Sequence, residues 1–288
     1  FQIDKITRTA PTWVNSSLSI PFGGSVDLRT NINTPGQNSY AFSTSGTAGS
    51  CAVTGYTLTV GSVGDTCNVS MTLVGDNLYN DVPAASAVSV TVTAISQSGL
   101  VITSGNQMNV GGTLTVSAAG GSGPGAISYH LVSDGGTGCQ INSSTGELSG
   151  ATAAGNCTVY AKRAASTNYN EVTSSNQVVT VNKISQVLSW VTSPQPIVLA
   201  GGQYVVEATA SSQLQITYSI GSGLCTISGN TVTFTGSGDC LIRAAQVGST
   251  GFLAAQTISQ TVSVGKINQT MTFSSIANIS WGSVSYTH

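Results

Sequence analysis

Charge is what this chain has least of. Lys, Arg, Asp and Glu together make up 6% of its 288 residues, against about a quarter in ordinary globular proteins. Eight basic residues and a net charge of −2 are too few to build a phosphate-tracking surface, which excludes nucleic acid as a partner class. Histidine is almost absent, with only His130 and His288. No apolar run reaches the eighteen or so residues a membrane helix needs; stretches such as Pro196-Ile197-Val198-Leu199-Ala200 are strand-sized. No membrane insertion is therefore expected within this segment. The chain opens at Phe1 with neither a methionine nor a basic-then-apolar leader, which reads as a processed product or a fragment.

Apolar residues are nevertheless plentiful, at 40% of the chain, so a disordered polyampholyte is excluded as well. Ser, Thr, Asn, Gln and Gly must supply most of the wetted surface. The apolar residues recur with period two: Val88-Ser89-Val90-Thr91-Val92-Thr93, Thr113-Leu114-Thr115-Val116-Ser117 and Thr231-Val232-Thr233-Phe234-Thr235 all alternate. That is the pattern of half-buried strands. The alanine-rich pieces near 151–165 and 244–255 are broken by Gly and β-branched residues, and no helix is expected.

One order of landmarks recurs three times. Gly23-Gly24, Tyr40, Cys51, Cys67 and Tyr79 are answered by Gly111-Gly112, Tyr129, Cys139, Cys157 and Tyr169, then by Gly201-Gly202, Tyr218, Cys225, Cys240 and Phe252. The step from second cysteine to aromatic is twelve residues each time (67 to 79, 157 to 169, 240 to 252). The Gly-Gly steps lie 88 and 90 residues apart (23 to 111, 111 to 201). A period near 90 is the length of one small β domain rather than of a solenoid unit. Six cysteines fall two to a repeat without the close pairs that zinc requires, and read as one disulfide per domain in an oxidising compartment.

In the third repeat the strands are expected at 186–192, 197–200, 203–210, 215–220, 225–228, 231–235, 240–246 and 258–264. Pro194 and Pro196 mark a first strand that switches sheets. Short strands with turns every 8–12 residues spell an immunoglobulin-like sandwich. The fold class is all-β: tandem immunoglobulin-like β-sandwich domains, one disulfide per domain, arranged as an extended array. The domains are expected at 1–93, 94–182 and 183–264, with 265–288 as the incomplete start of a fourth or a strand segment that pairs with another molecule. Val181-Asn182-Lys183-Ile184-Ser185-Gln186 and its counterparts at 92–97 and 264–269 run one domain into the next without a hinge, which implies stiff joins.

Gly120-Gly121-Ser122-Gly123-Pro124-Gly125-Ala126-Ile127-Ser128-Tyr129, the paired cysteines and the Lys-Ile-x-Gln boundary resemble the tandem Ig-like repeats of very large bacterial surface proteins, mostly adhesins and extracellular fibres of Gram-negative organisms. The resemblance implies a secreted or cell-surface, non-enzymatic stalk or fibre segment. The partners it implies are neighbouring domains or copies of the same protein, and a host or surface glycan or protein ligand. Two further readings stand beside it. One is a filament subunit joined by strand addition, since the strands carry few of the lysines that discourage edge pairing. The other is a glycan- or protein-binding module, with 120–138 as its candidate loop set.

The search for chemistry yields neither a catalytic residue nor a cofactor or metal site. His130 stands on a strand beside Tyr129 and is expected to point outward, away from any Ser–His–Asp arrangement. The ten carboxylates form no close pair of the kind glycosidases use. Gly64-Asp65 and Gly75-Asp76-Asn77…Asp81 could touch calcium, but turn chemistry accounts for them at lower cost. Lys183 and Lys266 could form isopeptide crosslinks only if buried. Asn15, Asn68 and Asn142 head glycosylation sequons of the kind Ser/Thr-rich chains contain by chance. Thr57/Thr59, Thr91/Thr93, Thr113/Thr115 and Thr231/Thr233 would line one sheet face, as half-buried strands do. Trp13, Trp190 and Phe273 recur at one place in the first strand and are expected in the cores.

Overall fold

The computed structural model of the chain describes residues 4–33, 39–84, 86–193, 198–266, 268–275 and 282. Pro194, Pro196, Trp281 and His288, and the 34–38 stretch that replaces the Gly-rich run in the first repeat, lie outside the described residues. Strands dominate, and the one helical piece among the described residues is a four-residue 3-10 turn, Leu28–Asn31, whose Arg29 N–H donates to the Asp27 side chain. The alternation works as burial: along Val88–Thr93 the three valines are buried while Ser89, Thr91 and Thr93 are exposed.

The second repeat shows the wiring. One sheet runs in the order Gln107–Asn109, Gln177–Asn182, Gly155–Arg163, Ile127–Ser133; the facing layer holds Leu114–Thr115, Glu147–Ser149 and Gln140–Ile141, with Leu100–Ile102 on Ala118–Gly120. The first strand therefore serves both layers. Leu100–Ile102 pairs antiparallel in one, and Gln107–Asn109 pairs parallel with the last strand in the other. The third repeat repeats the switch: Leu188–Trp190 lies on Ala208–Ala210, and Val198–Leu199 lies parallel to Ile258–Gly265. In the first repeat Trp13 bridges Ile32 before Ser17–Pro21 runs parallel to Val88–Thr93. A Greek-key sandwich with a sheet-switching first strand is an immunoglobulin-like fold.

The long strand expected at 203–210 is instead two, Gln203–Val205 and Ala208–Ala210. They part at Val206-Glu207 because the partner changes there. The Val206 N–H donates to Asn230 O, whereas the Glu207 N–H turns to Thr192 Oγ1.

Three separate cores result, one centred on Leu28, Leu58, Val69 and Val88, one on Val116, Leu148, Val159 and Val179, and one on Val206, Val232, Phe234 and Ile242. Packing divides the chain into two compact units, 1–182 and 183–288, of which the first holds two of these cores.

Disulfides join Cys51 to Cys67, Cys139 to Cys157 and Cys225 to Cys240, with Cα–Cα separations of 6.0, 6.6 and 6.2 Å. Each spans the sandwich. Cys51 lies in the Cys51–Thr54 strand of one layer and Cys67 in Cys67–Leu73 of the other, and Cys225 and Cys240 are placed alike. Closing loops of this length contributes about 3 kcal/mol per domain.

Trp13 and Trp190 pack against the first and third cores. Phe273 departs from the expectation and is 87% exposed. Residues 268–275 form no strand, so no sheet offers an inner face to cover the ring.

Candidate interdomain clamp

The aromatic that follows the second cysteine sits in a tight turn of one design. In the first repeat the Asp76 N–H donates to Tyr79 O at 3.1 Å, and Asp76 Oδ1 accepts from the Leu78 and Tyr79 amides at 2.8 and 3.0 Å. In the third, the Ser249 N–H donates to Phe252 O at 3.0 Å, and Ser249 Oγ accepts from Gly251 and Phe252 at 3.2 and 3.3 Å. The second uses Ser166, whose N–H donates to Tyr169 O at 2.9 Å. In the first and third repeats the short polar side chain closes the turn because it reaches its own backbone two or three residues on, whereas Ser166 Oγ makes no such bond. The Asp76 carboxyl is held below its ordinary pKa, chiefly by the Leu78 N–H.

The turn's outward backbone grips the incoming linker. The N–H of Ile6 donates to Leu78 O and its carbonyl accepts from Asn80, at 2.9 and 3.2 Å. Ile95 pairs with Asn168 O and the Asn170 N–H at 3.1 and 2.8 Å, and Ile184 with Gly251 O and the Leu253 N–H at 2.9 and 2.9 Å. Each boundary isoleucine is thus a one-residue parallel bridge to the landmark aromatic. The invariant twelve-residue step acquires a cause here: it is the length of strand and turn that brings the aromatic beside the linker.

Two residues further on, a long side chain locks the join. Gln97, 9% exposed, donates to Ala164 O and Asn170 O at 3.2 and 2.6 Å and accepts from the Gly123 N–H at 3.0 Å. Gln186, 6% exposed, donates to Leu253 O at 2.7 Å and to Gln246 Oε1, and accepts from Ser212 Oγ. A buried amide satisfied at both ends is costly to disturb. The first repeat substitutes Arg8, whose guanidinium donates to Val74 O at 2.7 Å and lies 5.0 Å over the Tyr79 ring. Sequence reading marked this boundary only as a join; the recurring Gln was the available signal for its role.

The Gly-rich run of the second repeat belongs to the same structure. Arg163 donates from Nε to Gly120 O and from Nη1 to Gly123 O and Gly125 O, at 3.1, 3.2 and 2.8 Å. A Cβ on Gly125 would stand 2.1 Å from Ala164 O, so only glycine lets this loop lie against the strand.

Within the first unit, the clamp also meets the preceding domain. Asn168 Oδ1 accepts from the Val63 N–H at 2.8 Å, Asn168 Nδ2 lies 3.4 Å from Ser62 Oγ, and Phe22 meets Tyr169 edge-on at 5.7 Å. Asp65 holds the Ser62 turn by accepting its N–H at 2.9 Å. The acidic residues weighed for calcium are thus engaged by backbone: Asp65 and Asp76 as above, and Asp81 by the Gly75 N–H at 2.6 Å. Among the described residues no three His, Cys, Asp or Glu converge on a metal position.

The remaining candidates disperse. His130 stacks on Tyr160 and lies 2.9 Å from Ser128 Oγ, with no carboxylate on it among the described residues. Lys183 and Lys266 are exposed, which removes the burial an isopeptide bond requires. Asn142 spends its carbonyl on the turn at Ser144 and Thr145. Of the Thr-x-Thr pairs, those at 57/59, 91/93 and 113/115 face solvent while 231/233 is half-buried.

No protein-family model matches this chain, and no curated protein does. Among solved structures it is similar to repeats EC22–24 of mouse cadherin-23, at 17% identity over 90% of this chain and 100% of that one, with a TM-score of 0.32. It is similar too to domains 1–6 of the surface layer protein SbsC, at 16% identity over 91% and 40% of the two chains, TM-score 0.28. Extracellular domains 3–5 of Drosophila OTK give 12% identity over 86% and 94%, TM-score 0.27. All three scores lie below 0.5, and the fold of this chain stands on its own strand topology.

Proposed function

We propose that this chain is a non-enzymatic, load-bearing segment of an extracellular fibre or surface adhesin of a bacterium, with domains at 1–93, 94–182 and 183–264. The observation that carries this is the clamp repeated at Ile6, Ile95 and Ile184, which ties every linker into the domain it enters. Tension is then borne by packed β structure and not by slack chain. The parallel pairing of first and last strands supports the same reading, because a pull on the two ends shears those hydrogen bonds together. The disulfides favour an oxidising, extracellular setting. Immunogold labelling of intact source cells with an antibody to this chain should decorate surface fibres; label confined to the cell interior would refute the assignment.

One observation favours self-assembly by strand addition as a second reading. The edge strand Tyr40–Gly46 carries no charge and pairs with Cys67–Leu73 without a bulge, whereas the equivalent strands of the other repeats break register at Leu131/Ser133 and Ile220/Ser222. The outward backbone groups of Phe42 and Thr44 meet no partner among the described residues, and such edges template further strands. Concentration-dependent sedimentation that vanishes in Thr44→Pro is the expected signature. Monomers at all concentrations would dismiss it.

A further inference from the structure

The outer face of the second repeat differs from the faces of its neighbours. On the sheet that carries Ile127–Ser133 and Gly155–Arg163, Tyr129, Leu131, Val159 and Ala161 point to the core side, so Ser128, His130, Tyr160 and Lys162 point away from it. Register sets His130 opposite Tyr160 and Ser128 opposite Lys162. The two rings are stacked, with centroids 4.9 Å apart and planes at 17°. Ser128 Oγ lies 2.9 Å from His130 Nε2, and Lys162 Nζ pairs with Glu171 Oε2 at 2.6 Å. The corresponding cross-strand pair, at the third residue past the second cysteine, is Ser43 with Ser70 in the first repeat and Ser219 with Arg243 in the third. Charge and an aromatic ring also meet at Asp27, Arg29 and Tyr56 in the first repeat, but only here among the described faces do two stacked rings lie beside an ion pair.

The chemistry of the patch selects its occupant. Lys162 and Glu171 cancel, so no net field holds phosphate, nucleic acid or an acidic polymer. Hydroxyl, imidazole, ammonium and carboxylate groups line the patch, which is unfit for a purely apolar ligand. An uncharged ligand with an apolar ring face and a hydroxylated rim satisfies both conditions. We propose that this face binds a neutral saccharide, one sugar ring resting against the Tyr160–His130 pair and its hydroxyls directed to Ser128, Lys162 and Glu171. The site adds adhesion to the load-bearing role and does not depend on it, since saccharide binding and mechanical strength share no readout.

The test titrates the full chain by calorimetry with neutral hexasaccharides of β-1,3-glucan, β-1,4-glucan, mannan and chitin type, beside heparin and sialyllactose. At least one neutral saccharide should bind. Tyr160→Ala should weaken it roughly tenfold, the scale of one lost ring contact, with the β fold retained. Ser70→Ala and Arg243→Ala should leave it intact. Binding of acidic glycans alone, binding indifferent to Tyr160→Ala, or no saccharide binding at all would overturn the proposal. So would sedimentation showing that a second copy of the chain occupies this face.

Discussion

Pulling the chain from its two ends should unfold the domains in reverse order of their number. Among the described residues, the parallel patch between first and last strands spans five residue pairs in the first repeat (Ser17–Pro21 on Ser89–Thr93), three in the second and two in the third. At about 1 kcal/mol per net hydrogen bond, three extra pairs raise the barrier by about 3 kcal/mol. That corresponds to about two orders of magnitude in unfolding rate at equal force. The third repeat should therefore yield first and the first repeat last. The disulfides identify each event. Replacing Cys225 and Cys240 together by Ser frees 15 residue steps and should lengthen only the lowest-force event, by about 54 Å at ~3.6 Å per residue. Reductant should lengthen all three, the others by about 58 and 65 Å for separations of 16 and 18. Single-molecule force spectroscopy on the tethered chain reads both quantities. If the extra length appears in the highest-force event, or if reduction changes no step, the shear argument fails.

Gln186→Ala should remove one partner each from Ser212 Oγ, Gln246 Oε1 and Leu253 O, costing about 1–3 kcal/mol and lowering the melting temperature of the unit 183–288 with little effect on 1–182. Asn168→Ala removes the acceptor of the Val63 amide, and hydrogen exchange at Val63 should accelerate while Val69, buried in the core, stays protected. The lowered pKa of Asp76 means that folding favours its ionised form. Its stabilisation is full above the ordinary aspartate value of about 4 and is lost as pH falls through that value toward the lowered one. Acid titration of amide shifts at Leu78 and Tyr79 should show this loss, and Asp76→Asn should flatten it. Gly125→Ala should lower expression or melting temperature more than Gly105→Ala, since a Cβ at 125 meets Ala164 O while nothing lies near 105; equal effects would contradict the close approach.

Much of the architecture was legible in the residues because it is written in local chemistry. Alternation such as that of Val88–Thr93 commits each segment to a two-faced strand wherever it pairs, and a cysteine pair recurring with the period of the glycines needs no tertiary knowledge to be read as a disulfide. The corrections arise where local chemistry is silent about partners. Burial of Phe273 required a facing sheet that 268–275 lacks, and continuity of 203–210 required one partner strand where there are two. That Tyr79, Tyr169 and Phe252 seat an incoming isoleucine and that Gln97 and Gln186 are buried knots depend on residues some 60 to 75 positions apart, and that each disulfide crosses between layers depends on which sheet each cysteine's segment joins. The stacked His130 and Tyr160 belong to the same class, since only strand register sets two rings thirty residues apart (130 to 160) side by side. The sequence by itself determined which faces are apolar and how often the unit repeats. Tertiary pairing alone decided which polar groups would meet, because hydrogen bonds and ring contacts need ångström proximity that sequence distance does not encode.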